Sequence, residues 1–266
     1  MIDPQSTGLV VIGHGSSDPD AILEFQAFMR LLVAAHQGIV EYGFLEPLGI
    51  QEAIDRAVRR ILADGGEKPA HLVVLPALLL GARHVKEDIP REIDKARGRH
   101  PGIDISFGMP LHLHPRVVDL CRIRIQQALA DFSYRSIDEM ILLVVGRGTS
   151  DPDANEAVLQ WTRQIGESLG FGRAITGYAA IASPNISEAF DIALGLPFKT
   201  IILFPYFLFT GHLVKKVYDA ARQWSEIHKD RLVKVARYLG PDPAVRDAVI
   251  DRFYDTVSSP RCRDIP

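Results

Sequence analysis

The chain repeats itself, and this limits its architecture more than any other feature of the sequence. An apolar segment, Gly8 to Ile12, runs into Gly13-His14-Gly15-Ser16-Ser17-Asp18-Pro19-Asp20-Ala21. The same pattern returns as Ile141 to Val145 followed by Gly146-Arg147-Gly148-Thr149-Ser150-Asp151-Pro152-Asp153-Ala154. Three further pairs keep the same order: Gly43 to Ala53 with Gly177 to Ala189, Leu72 to Leu80 with Ile201 to Phe209, and Pro110 to Pro115 with Tyr238 to Pro243. Collinear matches argue for two copies of one unit. The split falls near residue 136, so the expected domains are 1–136 and 137–266.

Each copy reads as alternating strand and helix. Leu9 to Ile12, Leu72 to Leu79, Ile141 to Val145 and Ile201 to Phe209 are short apolar runs rich in β-branched and aromatic residues, suited to strands buried on both faces. Gln51 to Ala63 places Ala53, Ile54, Ala57, Val58, Ile61 and Leu62 on one stripe and Arg56, Arg59 and Arg60 opposite, as an amphipathic helix does. Such alternation predicts an α/β fold, each copy a parallel sheet flanked by helices. Ligands of such sheets bind beyond the carboxyl ends of the strands. The segments Gly13 to Pro19 and Gly81 to Pro90 leave strands and belong on that rim.

Composition narrows the partners. With 47% apolar and 24% charged residues over 266 positions, the chain folds rather than staying disordered. Thirty Lys plus Arg against 33 Asp plus Glu leave a net charge of −3, so nothing drives it globally toward nucleic acid or an anionic membrane. Two cysteines, Cys121 and Cys262, make neither a disulfide framework nor a four-thiolate metal site and favour a reducing compartment. No apolar run approaches the ~18 residues of a membrane span and no basic segment leads into one, so the expectation is a cytoplasmic protein without membrane contact.

The residues able to carry chemistry cluster on the predicted rim. His14 sits between glycines just past the first strand, where small neighbours let the chain turn and leave an imidazole uncovered. The bland alternative is a histidine hydrogen-bonded at a strand end. The spacing is wrong for a nucleotide-binding glycine loop, and no Lys-Ser/Thr follows. His84 again lies just past an apolar strand. Two imidazoles on one rim can grip a divalent metal, or one can hold the metal while the other takes a proton. Glu46, after the second strand, is a candidate proton acceptor or partner of a bound cation, or else a helix N-terminal charge. Arg83, Lys86 and Arg91 can bind carboxylates or phosphates, although charged loops are most often merely solvated. His112 and His114 lie two apart and face one side of an extended segment, a spacing that also arises by accident. His36, His71, His100 and His228 read as surface or packing residues, and the two Asp-Pro-Asp runs as helix starts.

The repeat supplies an internal control. Position 14 corresponds to Arg147, position 46 to Ala180 and, with Pro76 set on Pro205, position 84 to Leu213, while His212 falls opposite Arg83. The fold is kept while the candidate reactive groups are replaced. One half is therefore expected to be active and the other to shape the site.

On these residues the chain resembles the sirohydrochlorin chelatases in their long, two-unit form. The matching motifs are Gly13-His14-Gly15-Ser16, Gly43-Phe44-Leu45-Glu46, His84 to Pro90 and Pro110 to Pro115, with Gly146 to Ala154 and Phe204 to Gly211 in the second half. They cover about residues 8 to 250. Departures are a short Pro47-Leu48-Gly49 segment, His112 where a small residue is more usual, and no long His-rich tract.

The resemblance implies two chelatase-like α/β domains facing each other across a cleft. It further implies ATP-independent insertion of a divalent metal into sirohydrochlorin, a lyase reaction of cobalamin biosynthesis if the metal is Co2+. Fe2+ insertion for siroheme, or Ni2+ insertion, is the alternative, because His and carboxylate ligands do not separate these metals. No cofactor is implied, since the metal is itself a substrate. The paired histidines map onto His14 and His84, with Glu46 as the acidic partner. A flat, carboxylate-rich macrocycle would be met by Ser16, Arg83, Lys86, Arg147, His212, Lys215 and Lys216 at its edge and by Phe44, Tyr206 and Phe209 on its face. The expected assembly is a monomer with two pseudo-symmetric domains. Other classes weighed are phosphoryl transfer through His14, for which no phosphate-binding Arg directly precedes it, and a metal or tetrapyrrole carrier without catalysis.

Overall fold

The structure, a computed structural model, describes residues 7–45, 49–63, 70–81, 84–130 and 136–258, and of His84 the backbone only. The first half runs β1 (Thr7–Gly13), α1 (Pro19–Ala35), β2 (Val40–Phe44), α2 (Ile50–Ala63), β3 (Ala70–Pro76), a π-helical turn (His84–Asp88), α3 (Ile89–Arg99), β4 (Ile103–Phe107) and α4 (Pro115–Leu129). A 3-10 turn (Ile137–Glu139) leads into β5 (Met140–Gly146), α5 (Pro152–Leu169), β6 (Arg173–Tyr178), α6 (Ile186–Leu194), β7 (Thr200–Pro205), α7 (His212–Ile227), β8 (Leu232–Val235) and α8 (Pro243–Ser258).

Each half forms a parallel four-stranded sheet, in the orders β2-β1-β3-β4 and β6-β5-β7-β8. The α/β expectation is met, and both orders place the first and third strands side by side at the centre. Every residue of β1, β3 and β5 is buried, as sheets covered on both faces require. On one face of the first sheet, Val10, Ile12, Leu72 and Val74 pack on Ile54, Val58 and Ile61 of α2 and Ile89 and Ile93 of α3. Ile141, Leu143, Ile201 and Leu203 pack likewise on Phe190 of α6 and Val217 and Trp224 of α7. Each such side chain stabilises its sheet by roughly 1.5–3 kcal/mol.

β3 and β7 are shorter than the apolar runs that contain them. Both end at proline, Pro76 and Pro205, which has no N–H to continue the ladder. The apolar residues beyond belong to the rim loops.

The compact units also differ from the repeat halves. One unit runs to Val117 and resumes at Pro241, while the other is Val118–Gly240. The split at 136 therefore marks the sequence repeat and not the packing: α8 belongs to the first unit, and most of α4 to the second. In the first unit Phe253 of α8 meets the His36 ring edge-on at 4.7 Å, and Arg116 pairs with Asp251 at 2.6 Å. In the second, Arg124 of α4 donates to the Leu239 carbonyl at 2.9 Å.

Candidate functional site

Sheet register places the rim of the first unit. Ile12 lies opposite Pro76, and Gly13 opposite Phe44. Ala77 then donates its N–H to Ile12 O at 2.9 Å, and Leu45 to Gly13 O at 3.0 Å, so three chain segments diverge from one stretch of sheet edge. Gly13 is needed there because an added Cβ would lie 2.7 Å from Phe25 Cε2 and 3.1 Å from Phe44 Cδ1. His14 follows, half-buried, with Nδ1 3.2 Å from Gly15 O. Gly15 takes φ 86°, the left-handed region that favours glycine.

The next residues build the start of α1. Ser16 Oγ accepts the Asp18 N–H at 3.0 Å, and Asp18 Oδ1 accepts the Asp20 N–H at 3.1 Å. The second half repeats the device: Gly148 has φ 78°, Thr149 Oγ1 accepts from Asp151 N–H at 3.2 Å, and Asp151 Oδ1 accepts from Asp153 N–H at 3.1 Å. Helix-start readings of the Asp-Pro-Asp runs hold, and the Ser16 hydroxyl serves this turn.

His84 is the first residue of the π-helical turn that leads into α3, with Lys86 exposed in the same turn and Arg91 3.6 Å from Asp88. In the second unit the corresponding stretch, from His212, is the opening of the regular helix α7. A π-turn widens the backbone by one residue, a distortion frequent at functional sites. Glu46 and Arg83 lie outside the described residues. Among the described residues no group of three or more His, Cys, Asp or Glu is assembled to hold a metal.

The aromatic candidates fare differently. Phe44 is half-buried on the rim, its ring 4.9 Å from Phe25 and 5.9 Å from Tyr42. Tyr206 is corrected: it is 4% exposed and stacks on Trp161 at 4.4 Å, so it is a core residue and has no face to offer a macrocycle. Burial pushes its hydroxyl well above the usual tyrosine range, which keeps it neutral. Phe209 is half-buried in the loop after β7. Arg147 is exposed directly after β5, and His212 and Lys215 are exposed in the first turn of α7. Lys216 Nζ donates to Ala179 O at 2.7 Å, so one of its donors is committed to the fold.

The other histidines also resolve. His114 accepts the Arg116 N–H on Nδ1 at 3.3 Å and so caps α4, where its repeat counterpart Asp242 caps α8 by accepting from Ala244 N–H at 2.9 Å. Burial and then Arg252 lower its pKa, consistent with a neutral acceptor. His71 bonds Ser106 at 2.8 Å, His100 bonds Asp55 at 2.7 Å, and His228 lies 4.3 Å from Trp224. A cavity of about 440 Å3 runs along β2, lined by Glu41, Tyr42, Gly43, Phe44, Gly49, Glu52 and Arg56. Its charges neutralise one another, Arg56 lying 3.0 Å from Glu41 and 3.1 Å from Glu52. Although burial opposes it, hydrogen bonds from Arg60 and Arg56 hold Glu41 below the usual carboxylate range.

His112 is half-buried, and burial is the first cause that lowers its pKa.

Comparison with known proteins agrees with this layout. The CbiX family model matches twice, over residues 8–128 and 141–256. The sirohydrochlorin cobaltochelatase of Priestia megaterium is 31% identical over 247 residues, covering 92% of this chain and 78% of that protein. The sirohydrochlorin ferrochelatase of Bacillus subtilis is 28% identical over 253 residues, covering 94% and 92%. Among solved structures, the sirohydrochlorin chelatase SirB from Bacillus subtilis subspecies spizizenii, in complex with cobalt, superposes with a TM-score of 0.76 at 26% identity over 96% of both chains. With the family model matching both halves and the repeat strands in the same order, the chain belongs to the CbiX family.

Proposed function

We propose that this protein inserts a divalent metal, Co2+ foremost, into sirohydrochlorin without ATP, as a step toward the corrin ring. The observation that carries this reading is the departure of His14 and of the segment leading to His84 from neighbouring strands at one sheet edge, in the half that keeps both histidines. Two relatives that span nearly the whole chain carry sirohydrochlorin chelatase names, which supports the same substrate.

The chemistry requires two things at once. The metal must shed water, and the macrocycle must lose two pyrrole N–H protons. In this proposal His14 and His84 replace water on the metal through neutral imidazole nitrogens, and Glu46 accepts protons from the ring. Arg147, Lys86 and His212 face the substrate carboxylates, and Phe44 meets the apolar ring. The protein works as a cytoplasmic monomer. Among the described residues no helix is long and apolar enough to cross a membrane.

Iron insertion for siroheme is the second reading, favoured by the ferrochelatase relative. The deciding experiment follows absorbance of purified sirohydrochlorin with Co2+, Fe2+ or Ni2+ at sub-stoichiometric protein. Repeated turnover with Co2+ fastest is the expected result. Iron outpacing cobalt reverses the metal, and a single equivalent converted with every metal identifies a carrier.

A further inference from the structure

A strained leucine stands on the rim of the first unit. β4 runs parallel to β3 and β1, so the loop after Phe107 leaves at the same sheet edge as His14. Gly108 donates its N–H to Val74 O at 2.9 Å, and three residues on Leu111 donates to Leu78 O at 2.9 Å. Pro110 Cγ lies 3.9 Å from where a Cβ on Gly81 would stand. The loop after β4 is thus stitched along the loop after β3. Within it Leu113 takes φ 48°, and it is the one non-glycine residue with a positive φ among the described residues. His114 N–H to Leu111 O at 3.1 Å and Val117 N–H to His114 O at 2.9 Å hold the turn around it.

The left-handed region penalises a side chain with a branched or bulky body, and glycine or asparagine is its ordinary occupant. The second repeat makes the corresponding turn with a glycine: Leu239 N–H donates to Phe207 O at 3.1 Å, as Leu111 does to Leu78, and Gly240 then takes φ 74°. The first unit keeps a leucine at its left-handed position instead and leaves it 39% exposed, with Met109 of the same loop 59% exposed. An apolar side chain that is both strained and uncovered contributes little to the fold, so the strain points to a contact made outside it. β4 lies two strands from β1, about 10 Å away. At that distance a side chain meets the periphery of a flat macrocycle centred at His14, and not its nitrogens. We propose that Leu113, with Met109, is a substrate-binding residue, an apolar support for the outer part of a carboxylate-edged tetrapyrrole. This role rests on the chelatase reading of the rim, and it assigns the loop affinity rather than chemistry.

The test compares wild type, Leu113→Asn and Leu113→Met by initial rates of Co2+ insertion into sirohydrochlorin, equilibrium binding of metal-free sirohydrochlorin followed by absorbance, and thermal melting. Asparagine accepts the left-handed backbone but loses the apolar contact. Leu113→Asn should therefore melt no lower than wild type, while KM and Kd rise about fivefold or more and kcat changes less than about twofold. Methionine keeps an apolar body of similar volume, so Leu113→Met should stay within about twofold of wild type in both constants. If Leu113→Asn fails to fold, Met109→Ser decides, because an exposed side chain can be truncated without unfolding the loop; both constants should again rise, and unchanged constants there overturn the proposal. Wild-type KM and Kd in a folded Leu113→Asn overturn it as well, and so does a loss confined to kcat. Sirohydrochlorin bound by the wild type without turnover overturns the chelatase reading alone, and the Kd of the variants then decides the contact.

Discussion

Ala77 donates its backbone N–H to the carbonyl oxygen of Ile12 at 2.9 Å, one residue beyond the last paired position of β3. The contact fixes where the two chain segments part: His14 lies two residues past Ile12, and the segment that ends at His84 begins at Ala77. Two distant stretches of sequence thus reach one edge through the strand pairing alone.

His14→Ala and His84→Ala should each lower kcat by about 10²-fold or more, the scale expected for loss of a positioned acid, base or ligand. Melting temperature should change little, because His14 follows β1 and His84 opens the π-helical turn, so neither is part of a strand. Turnover and melting measured on the same preparations check this. A folded His84→Ala with undiminished turnover removes that residue from the mechanism.

Arg147 stands where His14 stands in the other half, and a guanidinium neither loses its proton near neutral pH nor ligates a metal. Arg147→Ala should raise KM for sirohydrochlorin more than it lowers kcat, whereas His14→Ala should act chiefly on kcat. The reverse pattern in initial-rate kinetics would place the active half in the second repeat.

Tyr206 separates packing from binding. Tyr206→Ala should destabilise the fold by about 3–5 kcal/mol, as truncation of a buried aromatic does, while Tyr206→Phe keeps the stack on Trp161 and leaves KM unaltered. Denaturant unfolding and KM of both variants decide. A raised KM in a stable Tyr206→Phe would return the hydroxyl to the substrate site.

The sequence made the sheets legible because buried parallel strands need unbroken apolar runs, and Leu9 to Ile12 and Ile141 to Val145 supply them. It made the caps legible because Asp18 and Asp151 precede Pro at helix starts. It misjudged Tyr206, since an apolar run does not say where the strand stops, and just past Pro205 the Tyr206 ring turns into the core against Trp161 while Phe209 stays half-buried in the loop. The place of α8 was hidden for a related reason: a buried stripe such as Val245, Val249 and Phe253 shows that a helix is covered but not which sheet covers it. The capping role of His114 depends on which nitrogen meets which backbone group, and spacing carries no information about that.

Burial is the first cause lowering the pKa of His36, His112 and His114 below the ordinary imidazole value of 6.5, and all three belong to the first unit. For such a group the unfolded chain binds the proton first, so its contribution is fully present above 6.5 and is lost as pH falls toward the lowered folded value. Melting temperature should therefore decline between about pH 7 and pH 5, ahead of the loss of Glu41, Asp55 and Glu92, whose lowered carboxyl pKa values act at more acid pH. His114→Asn, which preserves a capping acceptor, should make the decline shallower. A melting temperature flat across this window in the wild type would mean that the histidines do not stay neutral in the fold.

The assignment of α8 to the first unit makes the final prediction one of location. Phe253 is fully buried and its ring meets His36 at the end of α1, while Thr256 lies so near Gly108, just past β4, that a Cβ there would approach its Oγ1 to 2.8 Å. Phe253→Ala should cost about 3–5 kcal/mol in stability. The loss should be felt by the sheet the helix covers, so native-state amide exchange should accelerate in β3, β4 and α1 while β5 and β7 keep their protection. If the helix instead completed the second repeat, as sequence order alone would have it, the faster amides would appear in β5 and β7, and the exchange of terminal helices between the two repeats would be disproved.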